Sequence, residues 1–177
     1  MKKYNIIYAD PPWPNTYIGS GIRSASKKFP LMPMEEILKL KVERLVAKEG
    51  VLFLWCPSMF FQEALDTIKA WGFRYKTMGF VWIKMTSKNK PAFGTGHWTR
   101  ANAEYCLLGV KGKLPVKSHA VSQVILEKRR EFARKPDITR DRIITLCGDL
   151  PRIELFARQK TQGWDVWGDE VESDIQL

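Results

Sequence analysis

The chain has 177 residues and a mass of 20.5 kDa, which is enough for one domain with a hydrophobic core. Hydrophobic residues make up 45% of it and charged residues 27%, a globular composition that excludes a disordered, collagenous or coiled-coil chain. Lys and Arg outnumber Asp and Glu by 29 to 19, and no apolar stretch fits a membrane span or a signal peptide. We therefore expect a cytoplasmic protein with no membrane partner.

Predicted strands and helices alternate along the chain. The first strand, residues 4–9, is a short, β-prone apolar run that ends at Asp10 and two prolines, so Asp10 should lie at its carboxyl end. The further predicted elements are, in chain order, a helix over 34–45, a strand over 51–55, a helix over 58–71 stopped by Gly72, strands over 73–84, 104–110 and 121–126, a helix over 136–147 and a strand over 152–156. This order predicts an α/β fold with a mainly parallel sheet, in which ligands bind beyond the carboxyl ends of the strands.

The cysteines and histidines do not suggest a metal site. Cys56, Cys106, Cys147, His97 and His119 are widely separated, and no spacing among them fits a zinc site or a disulfide framework. We expect no metal.

Most of the excess positive charge lies in one part of the chain, residues 84–135, which we call the basic stretch. It holds twelve basic and three acidic residues, and its aromatic residues are Phe93, Trp98, Tyr105 and Phe132. Cations that neutralise phosphates and rings that stack on bases are typical of nucleic-acid binding, although a solvated basic face has the same composition. A loop predicted over residues 85–102 is long enough to expect a functional role.

The tetrapeptide Asp10-Pro11-Pro12-Trp13 suits one reaction, alkylation of the exocyclic amine of adenine. That amine is a poor nucleophile because its lone pair is delocalised into the ring, so an enzyme must hold both amino hydrogens. The carboxylate of Asp10 and the carbonyl of Pro11 can each accept one, while the prolines restrict the backbone and Trp13 can stack on the base. The alternative is a rigid loop with a packed tryptophan.

Together with motifs spread over nearly the whole chain, this tetrapeptide resembles the MT-A70-like N6-adenine methyltransferases, typified by the catalytic subunit of the mRNA adenosine methylase. The other matching motifs are VLFLW at 51–55, GHW at 96–98, EYCLLGVKG at 104–112, KPD at 135–137, IELF at 153–156 and WG at 167–168. The resemblance implies a single Rossmann-like methyltransferase domain over residues 1–177, with helices on both faces of the sheet. It also implies a permuted motif order, in which the catalytic strand comes first and the cofactor motif last.

The resemblance assigns roles to individual residues and implies S-adenosylmethionine as the cofactor. The catalytic group is Asp10, Pro11, Pro12 and Trp13. The cofactor-binding group is Asp10, Lys135, Arg158, Lys160, Thr161, Asp169 and Glu170. Substrate contacts are implied for Phe29, His97, Trp98, Arg100 and Glu104, most of them in the substrate-recognition loop over about 85–102. Lys135 could instead belong to the basic face, and Asp169 and Glu170 could be plain surface acids.

Several alternatives remain at this stage. We expect DNA rather than RNA as the substrate. The compact chain carries no zinc finger or other RNA-binding appendage, so it looks like the bacterial or phage relatives. An RNA methyltransferase is the main alternative. Ala157 and Asp169 replace a glycine and an asparagine-type residue of the family, so a catalytically weak nucleic-acid-binding partner is a second alternative. A glutamine or small-molecule amine methylase is a third. The resemblance is also compatible with a homodimer or with a hetero-partner. The expected location is the cytoplasm of a bacterial or phage-infected cell.

Overall fold

One mixed sheet forms the centre of the protein. The computed structural model describes residues 2–14, 31–94, 96, 98–130 and 134–177, and in this part of the chain seven strands pair edge to edge. In chain order they are β1 (Tyr4–Ala9), β2 (Val46–Cys56), β3 (Arg74–Met85), β4 (Ala103–Lys111), β5 (Val124–Lys128), β6 (Arg152–Leu155) and β7 (Asp165–Trp167). Across the sheet their order is β5-β3-β4-β2-β1-β6-β7.

Strand direction determines which residues meet at the edge of the sheet. β1 pairs in parallel with both β2 and β6, β6 with β7, and β3 with β5, whereas β4 runs antiparallel between β2 and β3. The expected mainly parallel sheet is therefore confirmed. Because β4 is reversed, its first residues lie at the same edge as the carboxyl ends of its neighbours, and we call this edge the carboxyl edge.

Helices cover both faces, as expected. They are α1 (Met34–Lys39), α2 (Phe61–Ala70) and α3 (Ile138–Cys147). Along β1, Ile7 and Ala9 pack in the cluster that includes the buried side chains of α1 and α2, while Ile6 and Tyr8 pack in the cluster that includes those of α3. A strand covered on both faces needs a nearly continuous apolar run, which is why residues 4–9 lack polar alternation.

Several predicted bounds differ from the structure. The helix predicted over 34–45 ends at Lys39, because Leu40 is extended, and a 3₁₀ turn at Val42–Arg44 follows. The helix predicted over 58–71 begins with a 3₁₀ turn at Ser58–Phe60. β5 lies two to three residues later than expected, and β7 was not predicted, since three residues are too few for a periodic pattern. None of the described helices is long and apolar enough to cross a membrane.

Gly109 on β4 allows α2 to pack closely on the sheet. A Cβ at this position would lie 3.0 Å from Ile68 Cγ2 and 3.1 Å from Phe73 Cβ. We expect Gly109→Ala to lower the free energy of unfolding by about 1–3 kcal/mol, since neither neighbour can move without disturbing the core. Urea denaturation measures the effect. The exposed Lys76→Ala on β3 is the control, and an equal loss in both variants would contradict this account.

Candidate active site

Asp10 lies at the carboxyl edge, directly after β1. Its side chain is 31% exposed, whereas the following Pro11 is buried. The backbone N–H of Trp13 donates to the Pro11 carbonyl at 2.8 Å, and the N–H of Met32 donates to the Pro12 carbonyl at 3.0 Å. These two bonds, with the restricted backbone of the prolines, hold Asp10 at the end of the strand.

Lys135 joins Asp10 to a second carboxylate. Its Nζ lies 2.6 Å from Asp10 Oδ2 and 3.1 Å from Glu104 Oε2, and the other oxygen of Glu104 pairs with Lys84. Glu104 is the second residue of β4, so the reversed direction of that strand brings it to the carboxyl edge. The Lys135 ammonium also lies 5.8 Å from the centre of the Trp55 ring, within cation–π range.

Burial and charge act in opposite directions on these groups. Burial raises the pKa of Asp10 above its usual range; Lys135 opposes this increase, and Glu104 adds to it. Burial also acts against the charge of Lys135, but Asp10 and Glu104 outweigh it and raise the pKa of the ammonium. For Glu104 the two lysines outweigh burial and lower its pKa. Lys135 and Glu104 are therefore charged near neutral pH, and Asp10 is more basic than an exposed aspartate.

A cavity of about 510 Å³ opens beside Asp10. It is lined by Tyr8, Asp10, Arg129, Arg130, Arg134, Lys135, Arg140, Glu154, Phe156, Arg158, Gln159 and Glu170. The structure thus brings together four of the residues expected at the cofactor: Asp10, Lys135, Arg158 and Glu170. Arg158 Nε lies 3.1 Å from Glu170 Oε1, which holds the two residues on one side of the cavity.

Three other residues expected at the cofactor do not line this cavity. Lys160 forms ion pairs with Asp174 at 3.3 Å and Glu172 at 3.8 Å, and Asp169 is exposed. The hydroxyl of Thr161 is buried and has no hydrogen-bond partner among the described residues. Of the four cofactor residues expected after Arg158, only Glu170 lines the cavity.

The packing of Trp13 corrects the role expected for it. Its ring is only 7% exposed and stacks on Phe60 with centroids 5.9 Å apart, and its Nε1 donates to the Trp55 carbonyl at 2.9 Å. Both the ring and the N–H are therefore committed to the core. Trp13 fits the packed-tryptophan alternative, and it supports the turn at Asp10 rather than presenting a stacking surface.

The expected substrate residues are found in different places. Trp98 and Arg100 are exposed on the connection between β3 and β4, which leaves and re-enters the sheet at the carboxyl edge. Glu104 lies in β4, in agreement with the strand predicted over 104–110. Phe29 and His97 lie outside the described residues.

A buried ion pair that lines the cavity was not predicted. Arg140 on α3 donates Nε and Nη2 to the two oxygens of Glu154 on β6, each at 2.8 Å. Both residues are 8% exposed, and the guanidinium lies 5.5 Å from the Tyr8 ring. The sequence signal for this pair was a single acid inside the apolar strand 152–156, since a buried acid requires a partner.

Among the described residues, no group of three or more His, Cys, Asp or Glu could hold a metal.

Comparison with known proteins identifies the family. A family model described as MT-A70 matches residues 4–170. The chain belongs to the MT-A70 family. Among its relatives, the type II methyltransferase M.MunI of a Mycoplasma species is 34% identical over 189 residues, which cover 96% of this chain and 78% of the relative.

Two further relatives are longer proteins. The putative N(6)-adenosine-methyltransferase MT-A70-like of Medicago truncatula is 27% identical, over 97% of this chain and 27% of its own length. The human N(6)-adenosine-methyltransferase catalytic subunit METTL3 is 25% identical, over 97% of this chain and 29% of its own length. This MT-A70 chain thus spans less than a third of either protein.

Glu104→Gln tests the shared ion pair through the pH dependence of stability. The pKa of Glu104 is lowered from its ordinary 4.5 in the folded protein, so its contribution is fully present above pH 4.5 and is lost as the pH falls through the folded-state value. At pH 7 we expect the variant to be less stable by about 3 kcal/mol, since the buried Lys135 loses one of its two carboxylate partners. Below pH 4.5 the difference should shrink as the pH falls.

Chemical denaturation across this pH range measures the difference. Glu35→Gln is the control, because its side chain is 84% exposed. A stability difference that stays constant from pH 7 to pH 2 would show that folding does not shift the pKa of Glu104, and would contradict the lowered pKa.

Proposed function

We propose that this protein, a methyltransferase of the N6 amine of adenine in nucleic acid, uses S-adenosylmethionine as its methyl donor and acts on DNA. The observation that carries the proposal is the position of Asp10, at the end of β1, ion-paired to Lys135 and opening on the cavity. Membership of the MT-A70 family supports the methyltransferase activity.

The residues that line the cavity fit the proposed cofactor. Its volume of about 510 Å³ lies within the range of small-molecule sites. Arg134 and Lys135 present cations that suit the carboxylate of the methionine part, and Glu170 presents an acceptor that suits the ribose hydroxyls. When bound, S-adenosylmethionine would supply a methyl group on a positively charged sulfur.

Asp10 and Pro11 are proposed to hold the adenine amine. Lys135 bonds Asp10 Oδ2, so Oδ1 is assigned to one amino hydrogen. The Pro11 carbonyl already accepts from the Trp13 N–H, and its second lone pair is assigned to the other amino hydrogen. With both hydrogens bound and Lys135 holding the carboxylate, the nitrogen is oriented for attack rather than activated by a strong base.

Proton transfer is the second proposed role of Asp10. A methylated N6 amine is acidic until it loses a proton, and the nearest proposed acceptor is the Asp10 carboxylate. Because burial raises the pKa of Asp10, it accepts that proton more readily than an exposed aspartate would. Lys135 remains charged throughout and prevents Asp10 from turning away.

DNA is proposed over RNA because this chain covers 78% of the length of the Mycoplasma type II methyltransferase, but less than a third of the length of either N6-adenosine methyltransferase. A paired adenine must leave the stack to reach Asp10, at a cost of a few kcal/mol. The basic stretch could offset this cost through phosphate contacts, and the exposed rings of Trp98 and Phe93 through stacking. The two N6-adenosine methyltransferases make RNA the alternative substrate.

Asp10→Ala should separate binding from turnover. With methyl-labelled cofactor and matched DNA and RNA, we expect label on DNA adenine for the natural protein. The variant should be slower by at least about 10²-fold, since both amine orientation and proton acceptance are lost. The variant should still bind the cofactor in a calorimetric titration, because the other residues that line the cavity remain. Preferential labelling of RNA would reverse the choice of substrate, and no cofactor binding at millimolar concentration would favour a binding protein without catalysis.

Trp98→Ala tests the contribution of the loop. Trp98 is 99% exposed, so its loss should not affect the core, but it should weaken nucleic-acid binding by roughly tenfold if the ring stacks on a base. Tyr75→Ala is the matched control, because this exposed aromatic lies near the start of β3, at the opposite edge of the sheet. Equal affinity of the two variants in a fluorescence-anisotropy titration would exclude Trp98 from the interface.

A further inference from the structure

The carboxylate of Asp137 has an unusual set of partners. Asp137 occupies the N-cap position of α3, where an aspartate usually accepts from its own helix, but its side chain makes no capping hydrogen bond. It accepts instead from Arg130 Nη1, from Arg134 Nη2 on both oxygens at 2.9 and 3.0 Å, and from Arg140 Nη1 at 3.1 Å. Three guanidinium groups therefore converge on one carboxylate.

These arginines come from two parts of the structure. Arg130 and Arg134 belong to the connection between β5 and α3, whereas Arg140 is buried and fixed to the sheet through Glu154. Asp137 therefore ties the connection to the sheet through Arg140. Arg140, Arg130 and Arg134 all line the same cavity as Asp10.

Lys135 lies inside this tied segment. It is separated from Asp137 only by the buried Pro136, whose ring restricts the backbone, and it directly follows Arg134. A bond from Arg134 to Asp137 thus closes a short ring of chain around Lys135. The position of its ammonium, 2.6 Å from Asp10, depends on the backbone that this ring fixes.

We propose that Asp137 is a positioning residue, which holds the Lys135 ammonium against Asp10 by gathering Arg130, Arg134 and Arg140. The inference rests on the proposed function of the Asp10 site and adds a residue that acts on it indirectly. Asp137 itself does not line the cavity and so does not contact the proposed cofactor there.

The first test measures the position of Lys135 without requiring activity. Acetylation of Lys135 by acetic anhydride, followed by mass spectrometry, should be roughly tenfold faster in Asp137→Asn, because the ammonium leaves its ion pairs more often. The rate of acetylation of Lys84 should not change, since its partner Glu104 lies in β4. An equal increase at both lysines would mean general unfolding and would contradict the proposal. Asp141→Asn is the matched control, because it removes the same charge from an exposed position on the same helix.

The second test measures turnover. Asp137→Asn should lower kcat by roughly 10- to 100-fold, with little change in the KM for nucleic acid. In a Lys135→Met background the same substitution should have no further effect, since the two residues act as a unit. Asp137→Glu should recover part of the rate because it restores the charge.

The outcomes separate the two proposals. If Lys135 is acetylated at the same rate in Asp137→Asn and Asp141→Asn, Asp137 does not position it, whatever the enzyme does. If Lys135 becomes reactive only in Asp137→Asn while the natural protein labels neither DNA nor RNA, the positioning role holds and the proposed function fails. Additive losses of kcat in the double variant would also overturn the positioning role.

Discussion

Lys135 and Asp10 are 125 residues apart in the chain, and the 2.6 Å contact between their side chains determines the character of the whole site. Without Lys135, a carboxyl group as buried as Asp10 and as close to Glu104 would tend to become protonated, and a protonated carboxyl offers fewer acceptors to an amine. Lys135 lowers the pKa of Asp10 against the effect of burial, and so favours a carboxylate acceptor beside the cavity. The proposed chemistry depends on that acceptor.

Sheet topology explains how such distant residues meet. β1 delivers Asp10 to the carboxyl edge, reversed β4 delivers Glu104 to the same edge, and the segment before α3 delivers Lys135. Arg140 and Glu154 form a second ion pair that lines the same cavity, and the Arg140 guanidinium lies 5.5 Å from the Tyr8 ring. Each of these charges thus has a partner from another element, and the attraction between the partners offsets the desolvation penalty of burying them.

Sequence reasoning predicted the elements whose pattern is local. The apolar runs at 4–9 and 51–55 became central strands, and the acid placed after the first of them does line a cavity. It did not predict β7, which has no periodicity of its own and forms only because β6 is beside it. The early end of α1 depends on the extended backbone at Leu40, which no propensity indicates.

Site residues were predictable when a motif marked them and not when only packing did. Arg140 looks like any helical surface cation until Glu154 is placed opposite it, and Trp13 looks like a stacking platform until Phe60 is placed against it. Long-range pairs of this kind depend on the topology of the sheet, which a single sequence does not contain. The motifs placed Asp10 and Lys135 in the same cofactor-binding group, but they did not predict that the two side chains form an ion pair.

A crystal structure of the protein with S-adenosylhomocysteine and an adenine-containing oligonucleotide would show whether the carboxylate of Asp10 holds the adenine amine. We expect an Asp10 carboxylate oxygen within about 3.2 Å of adenine N6, with Lys135 still bonded to the other oxygen. An Asp10 side chain turned away from the amine, or an adenine bound elsewhere in the presence of an intact ion pair, would contradict this expectation.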